Sequence, residues 1–184
     1  MGNSTFSGPI RATGGFTSIA TASGTGTETT QMSISSAGFA SLDANKLATE
    51  AGTGITGGTG TIYRSSVIRE GGIITTSILI DLTGLRSTAS GDIIGVDGTS
   101  NVCHIGQITA ARNGTILAGR MTCFEAPAGG DPDIDLWYAD EATGTEDAAI
   151  TGLTETKLLE NGEAWTAGMT KLFTTQPASG EYLY

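Results

Sequence analysis

Residues 103 to 124 read Cys103-His-Ile-Gly-Gln-Ile-Thr-Ala-Ala-Arg112, then Asn113-Gly114, then Thr115-Ile-Leu-Ala-Gly-Arg-Met-Thr-Cys-Phe124. Two half-apolar runs around Asn-Gly predict a β-hairpin, because both turn residues tolerate positive φ and the turn twist matches that of the strands. Strand-like segments broken at short intervals by glycine continue from Gly60 to Tyr184. The expected fold is mainly β: an antiparallel β-sandwich or barrel-like domain over residues 59–184, preceded by an extended Gly/Ser/Thr-rich arm over residues 1–58.

Within the β-region, Thr61 to Arg69 is turned by Glu70-Gly71-Gly72 into the run Ile73 to Leu82. There Ile74, Thr76, Ile78, Ile80 and Leu82 alternate onto one face, which predicts a core-facing side. Asp133 to Ala139 reads as a strand, Ala148 to Leu159 as strand or short helix, and Met169 to Thr174 and Glu181 to Tyr184 as two final strands. The arm is thin in apolar residues, and Phe6, Ile10, Phe16 and Ile19 are spaced like anchors for a partner surface. A short strand near Thr30 to Ser35 and a brief helix from Ser41 to Ala51, capped by Ser41, are expected there. Gly52 to Gly60 lacks the Lys-Ser/Thr ending of a phosphate-binding loop and reads as a linker.

Charged residues make up 15% of the 184 and aromatics 6%, while glycine reaches 28. A hydrophobic content of 38% argues against disorder over the whole length, and the sparse charge suggests hydroxyl-covered surfaces. A formal net charge of −10 disfavours nucleic acid, because phosphate neutralisation needs clustered Lys and Arg. No apolar run approaches the roughly 20 residues of a membrane span. The start, Met1-Gly-Asn-Ser-Thr-Phe6, shows neither a secretory pattern nor the Ser or Thr that a myristoylation signal needs at its sixth position.

Several chemistries are weighed against the residues. A two-residue Asn113-Gly114 turn sets Cys103 opposite Phe124, whereas a three-residue loop sets Cys103 opposite Cys123; reduced thiols acting as small buried hydrophobes are expected, with a disulfide as the alternative. Asp131, Asp133 and Asp135 alternate and could ligate a hard cation through oxygen. Leu136 and Ala142 stand where a helix-loop-helix calcium site needs glycine and glutamate, so a solvated strand face is the expected reading and no cofactor is assigned. An acid-pair hydrolase would need two of these carboxyls at a set separation. His104 is the single histidine, which weakens a Ser-His-Asp proposal and leaves a packed or surface imidazole. Trp137-Tyr138 and Trp165 could form a sugar platform, with core or interface as the plainer reading.

The opening Asn3-Ser-Thr-Phe-Ser-Gly-Pro-Ile10, running on through Gly14-Gly-Phe16, resembles the start of a group of virion structural proteins from tailed phages of marine and aquatic bacteria. Gly95-Val-Asp-Gly98, His104 to Ile116 and Met121 to Leu136 are similar to the same group. The resemblance implies a capsid decoration, or cement, protein: a non-enzymatic, often trimeric β-module on the outer surface of the head. Its partner would be the major capsid protein, with no membrane and no direct nucleic-acid contact. A receptor-binding or fibre protein is the alternative, and an acid-pair hydrolase a distant third. The ending Glu181-Tyr-Leu-Tyr184 leaves open whether the last strand closes this domain or a neighbour's.

Overall fold

The computed structural model describes residues 47, 49–127, 132–160 and 162–184, together with the backbone of strands at 16–21, 28–34 and 40–41. The chain divides into two compact units, Met1–Asn45 and Lys46–Tyr184. In the first, β1 (Phe16–Thr21), β2 (Glu28–Ile34) and β3 (Ala40–Ser41) form an antiparallel sheet in sequence order, with a register shift between Ser18 and Ile19. Threonine and isoleucine, which suit a pleated backbone, recur through β1 and β2. Paired strands thus stand in part of the region where composition suggested an extended arm. Ser41 ends β3 rather than capping a helix.

The second unit begins before residue 59, because Leu47 and Ile55 are 2% and 3% exposed within its core. Its longest elements are β4 (Ile62–Glu70) and β5 (Ile73–Asp81), paired from Ile62↔Asp81 to Glu70↔Ile73. Gly71 and Gly72 make the two-residue turn with φ of 54° and 88°, the left-handed pair that a tight hairpin needs. The alternation expected from the sequence is present. Ile78 packs on a core of Leu47, Ile108, Leu158 and Leu183, while Tyr63 and Ile80 pack on a second core of Ile55, Ile93, Cys103 and Ile150.

Opposite this hairpin lies an antiparallel four-stranded sheet in the order β6 (Gly106–Gln107), β11 (Tyr182–Leu183), β8 (Leu136–Ala139) and β9 (Glu155–Leu159). The last strand lies inside its own chain's sheet: Leu183 pairs with Gly106 on one side and Tyr138 on the other. A 3-10 turn at Ile150–Gly152 precedes β9, so both readings of Ala148 to Leu159 are realised in succession. A separate ribbon pairs β7 (Gly119–Thr122) with β10 (Thr170–Phe173). The two final strands therefore pair with different partners and not with each other.

The Asn113-Gly114 hairpin is not formed. Ala110–Asn113 makes a single helical turn, α2, and Gly114 ends it at φ 67°. The Asn113 side chain accepts the Thr109 N–H at 2.8 Å and donates to Thr76 Oγ1 at 3.0 Å. A buried carboxamide satisfied at both ends outweighs the turn preference of the dipeptide. Without that hairpin the two cysteines have no cross-strand relation, and both thiols are free.

Gly52 to Gly60 is likewise not a linker. Thr53–Thr56 forms the single-turn helix α1, preceded by an N–H···O bond from Gly52 to His104 O at 2.8 Å; Gly54 N–H bonds Val102 O at 2.8 Å. The close approach requires glycine: a Cβ at Gly54 would stand 2.3 Å from Cys103 Sγ, and one at Gly95 would stand 2.4 Å from the same sulfur. Gly95→Ala should destabilise the chain by about 1–3 kcal/mol in urea unfolding, the usual range for overpacking. Combined with Cys103→Ala, which removes the clashing sulfur, the cost should fall well below the sum of the two single changes.

Candidate functional site

Most of the chemically distinctive groups meet along residues 102–105. Cys103 N–H donates to Gly144 O at 2.8 Å and Ile105 N–H to Leu183 O at 2.7 Å, while the Val102 and His104 carbonyls accept from the glycine turn. This pairing buries Cys103 and His104 side by side, at 1% and 5% exposure. The thiol donates to Asn101 O at 3.3 Å, and burial pushes it up to about 11, away from thiolate chemistry. Cys123 is half-buried and donates to Glu125 O.

His104 lies between the edges of the Tyr182 and Tyr184 rings, with centroids at 5.2 and 6.4 Å. Its Nε2–H donates to Glu50 O at 3.2 Å, which fixes the tautomer, and Nδ1 is buried without a hydrogen-bond partner. Burial lowers its pKa, against the Glu50 and Ala142 carbonyls, which favour the charged form. The imidazole is a packing element between the two tyrosine rings. Tyr184 holds the chain end in place through its hydroxyl, which donates to Glu141 O at 2.8 Å and accepts the Gly144 N–H at 3.2 Å.

Glu146 was only one of a run of acids in the sequence, yet it is the buried carboxylate of the described residues. It is 8% exposed, Oε2 accepts the Gly98 N–H at 3.3 Å, and Oε1 is buried without a partner. Burial, followed by the negative charge of Asp147, raises its pKa, while the Gly98 N–H works the other way. Asp147 has φ 58° and accepts the Thr88 N–H at 2.7 Å; Asp97 is tied to Arg86 at the surface. No local pattern in the sequence marks Glu146, since the Gly95-Val-Asp-Gly98 turn that supplies the N–H is 48 residues away in the chain.

The alternating carboxyls, for which a solvated strand face was expected and a cation site was the alternative, take separate surroundings where they are described. Asp131 lies outside the described residues, Asp133 is exposed, and Asp135 forms an ion pair with Lys157 at 3.3 Å. Lys157 also reaches Glu160 at 3.0 Å and sits 4.7 Å from the centre of the Trp137 ring. Among the described residues no group of three or more His, Cys, Asp or Glu could hold a metal ion. The sugar platform is not assembled, since Trp165 is 2% exposed with its Nε1–H on Ile134 O at 2.7 Å. A cavity of about 360 Å3 lined by Glu50, Tyr63, Arg64 and Ser65 is open to solvent, and the Tyr63 hydroxyl beside it is committed to Ile105 O at 2.6 Å. Phe6 and Ile10, and the side chains of Phe16 and Ile19, lie outside the described residues. No helix among the described residues is long and apolar enough to cross a membrane.

In contrast to these committed polar groups, large apolar side chains are open on two ribbons. Ile62, Ile68, Ile73 and Leu79 line the outer face of β4–β5, and Leu117, Phe124 and Leu172 lie on and beside β7–β10. The sequence carried a signal for the first set, because Ile73 and Leu79 are apolar on the face opposite the core. Comparison with protein-family models, with curated proteins and with solved structures gives no match.

The Glu146 environment fixes a pH effect. A carboxyl with a raised folded-state pKa is fully tolerated while protonated, and its stability contribution is lost as pH rises from the ordinary carboxylate value through the raised one. Glu146→Gln, neutral throughout, should raise the urea midpoint at pH 7.5, and the gain should shrink toward zero near pH 4. Paired urea titrations across that range check it; an equal gain at both ends would contradict the assigned cause.

Proposed function

We propose that this chain is a non-enzymatic capsid decoration, or cement, protein of a tailed phage. It would bind the outer surface of the head and stabilise contacts between major capsid subunits. The observation that carries the reading is the exposure of Leu117, Phe124 and Leu172, at 76%, 76% and 77%, on and beside one small ribbon. Apolar side chains of this size held out on and beside a strand pair suit burial against a partner. The segments resembling virion structural proteins point to the kind of partner, and Phe6, Ile10, Phe16 and Ile19 belong to the same proposal as further contacts. Such a protein would act by repetition, since many copies each add a modest contact energy across one shell.

The test uses filled heads with and without the protein. Heads lacking it should lose infectivity faster on heating or osmotic shock, while every chemical step of infection proceeds. Leu172→Asp, an exposed change that leaves the core untouched, should lower occupancy on heads by about tenfold or more. Equal resistance of both kinds of head, with the protein found in few copies at the tail, would overturn the cement reading in favour of a receptor-binding or fibre protein.

A further inference from the structure

The outer face of the β4–β5 ribbon carries a pattern that one copy leaves unpaired. From the open end to the turn its rows are Ile62 beside Asp81, Arg64 beside Leu79, Ser66 beside Ser77, Ile68 beside Thr75, and Glu70 beside Ile73. Ile73 is 71% exposed and Leu79 50%. Arg64 donates to its neighbour's carbonyl, Tyr63 O, at 2.9 Å. Neither Arg64 nor Glu70 has a partner of opposite charge among the described residues. Six residues apart on one strand, they are separated by roughly 20 Å and cannot reach each other.

We propose that this face is a self-complementary dimer interface, occupied by the same face of a second copy. Consider a two-fold axis between the two faces, perpendicular to the strands and level with the Val67–Thr76 pair. Each β4 residue then meets the β4 residue equally far on the other side of Val67. Arg64 faces Glu70 of the second copy, and Glu70 faces its Arg64. On β5, Ile73 faces Leu79 of the second copy and Leu79 faces its Ile73. Ile62 and Asp81 fall against the glycine turn at the rim, where Asp81 already accepts from the Thr83 N–H and hydroxyl. An axis one row away, at Ser66–Ser77, would set Glu70 on Ile62 and Arg64 on Ile68. The charges therefore select one register.

Strand dimensions make the face about 27 Å by 10 Å, so pairing two copies buries on the order of 500–600 Å2. An area of this size belongs to weak, transient association held in register by its charges, and the dimer is reversible. A two-fold pair takes the place of the trimer that the resemblance implies. It does not depend on the capsid reading.

Sedimentation equilibrium of the free, full chain tests this without any capsid. The wild type should show a monomer–dimer equilibrium with a Kd on the order of 100 μM, weakening with salt. Arg64→Glu and Glu70→Arg should each raise the Kd about tenfold, and the two together should restore it. Ile73→Asp should abolish dimerisation with an unchanged circular dichroism spectrum; if that variant loses its fold, the charge exchange decides alone. A strict monomer up to about 1 mM, a trimer, or failure of the double exchange to restore pairing would each overturn the interface.

Discussion

Both hydrophobic cores of the larger unit meet at residues 102–105, whose backbone is bonded along both edges. The Val102 and His104 carbonyls point to one side and accept the Gly54 and Gly52 N–H groups; the Cys103 and Ile105 N–H groups point to the other and donate to Gly144 and Leu183. A buried strand with an unsatisfied edge would forfeit a hydrogen bond at every second residue. The chain avoids this with a turn from its first third on one side and with Gly144 and the strand at Leu183 on the other. The two hydrophobic cores lie against this one segment, Cys103 in one and Ile105 in contact with both.

That arrangement explains what could be read from the sequence and what could not. The hairpin around Glu70-Gly71-Gly72 was legible, because its turn residues and the alternation of Ile74, Thr76, Ile78 and Ile80 are local signals that agree. Asn113-Gly114 misled for a physical reason: tolerance of positive φ serves the end of a helical turn as well as a hairpin. The contact from Asn113 to Thr76 that decides between them is invisible to local pattern. Glycines that let a chain bend freely are the same letters as glycines that let it press against Val102 and Cys103. Only the partner, some fifty residues away, distinguishes a linker from a seat.

The site expectations divide along the same line. Lone features such as His104, Cys103 and Trp165 take packing roles set by partners distant in the chain, Glu50 and the Tyr182 and Tyr184 rings for His104 and Ile134 for Trp165. Asp135 ends in an ion pair with Lys157, an outcome set by the β8–β9 pairing and not by the spacing of acids. Glu146 could not be singled out beforehand, since its burial follows from loops that converge only in the folded chain. The polar interior serves to hold the strands in register. Its outward-facing isoleucines and leucines, carried on ribbons only two strands wide, are where the chain has surface left to offer.

The glycine seat around Cys103 has an experimental use. Its sulfur is enclosed by Gly54, Gly95 and the Asn101 carbonyl, so a thiol reagent can reach it only when this seam separates. Cys123, half-buried at the edge of the other ribbon, has no such enclosure. Under conditions where reclosing outruns alkylation, the ratio of the two labelling rates reads out the free energy of opening the seam. The native chain thus carries both a probe and its internal reference, with no label to be engineered.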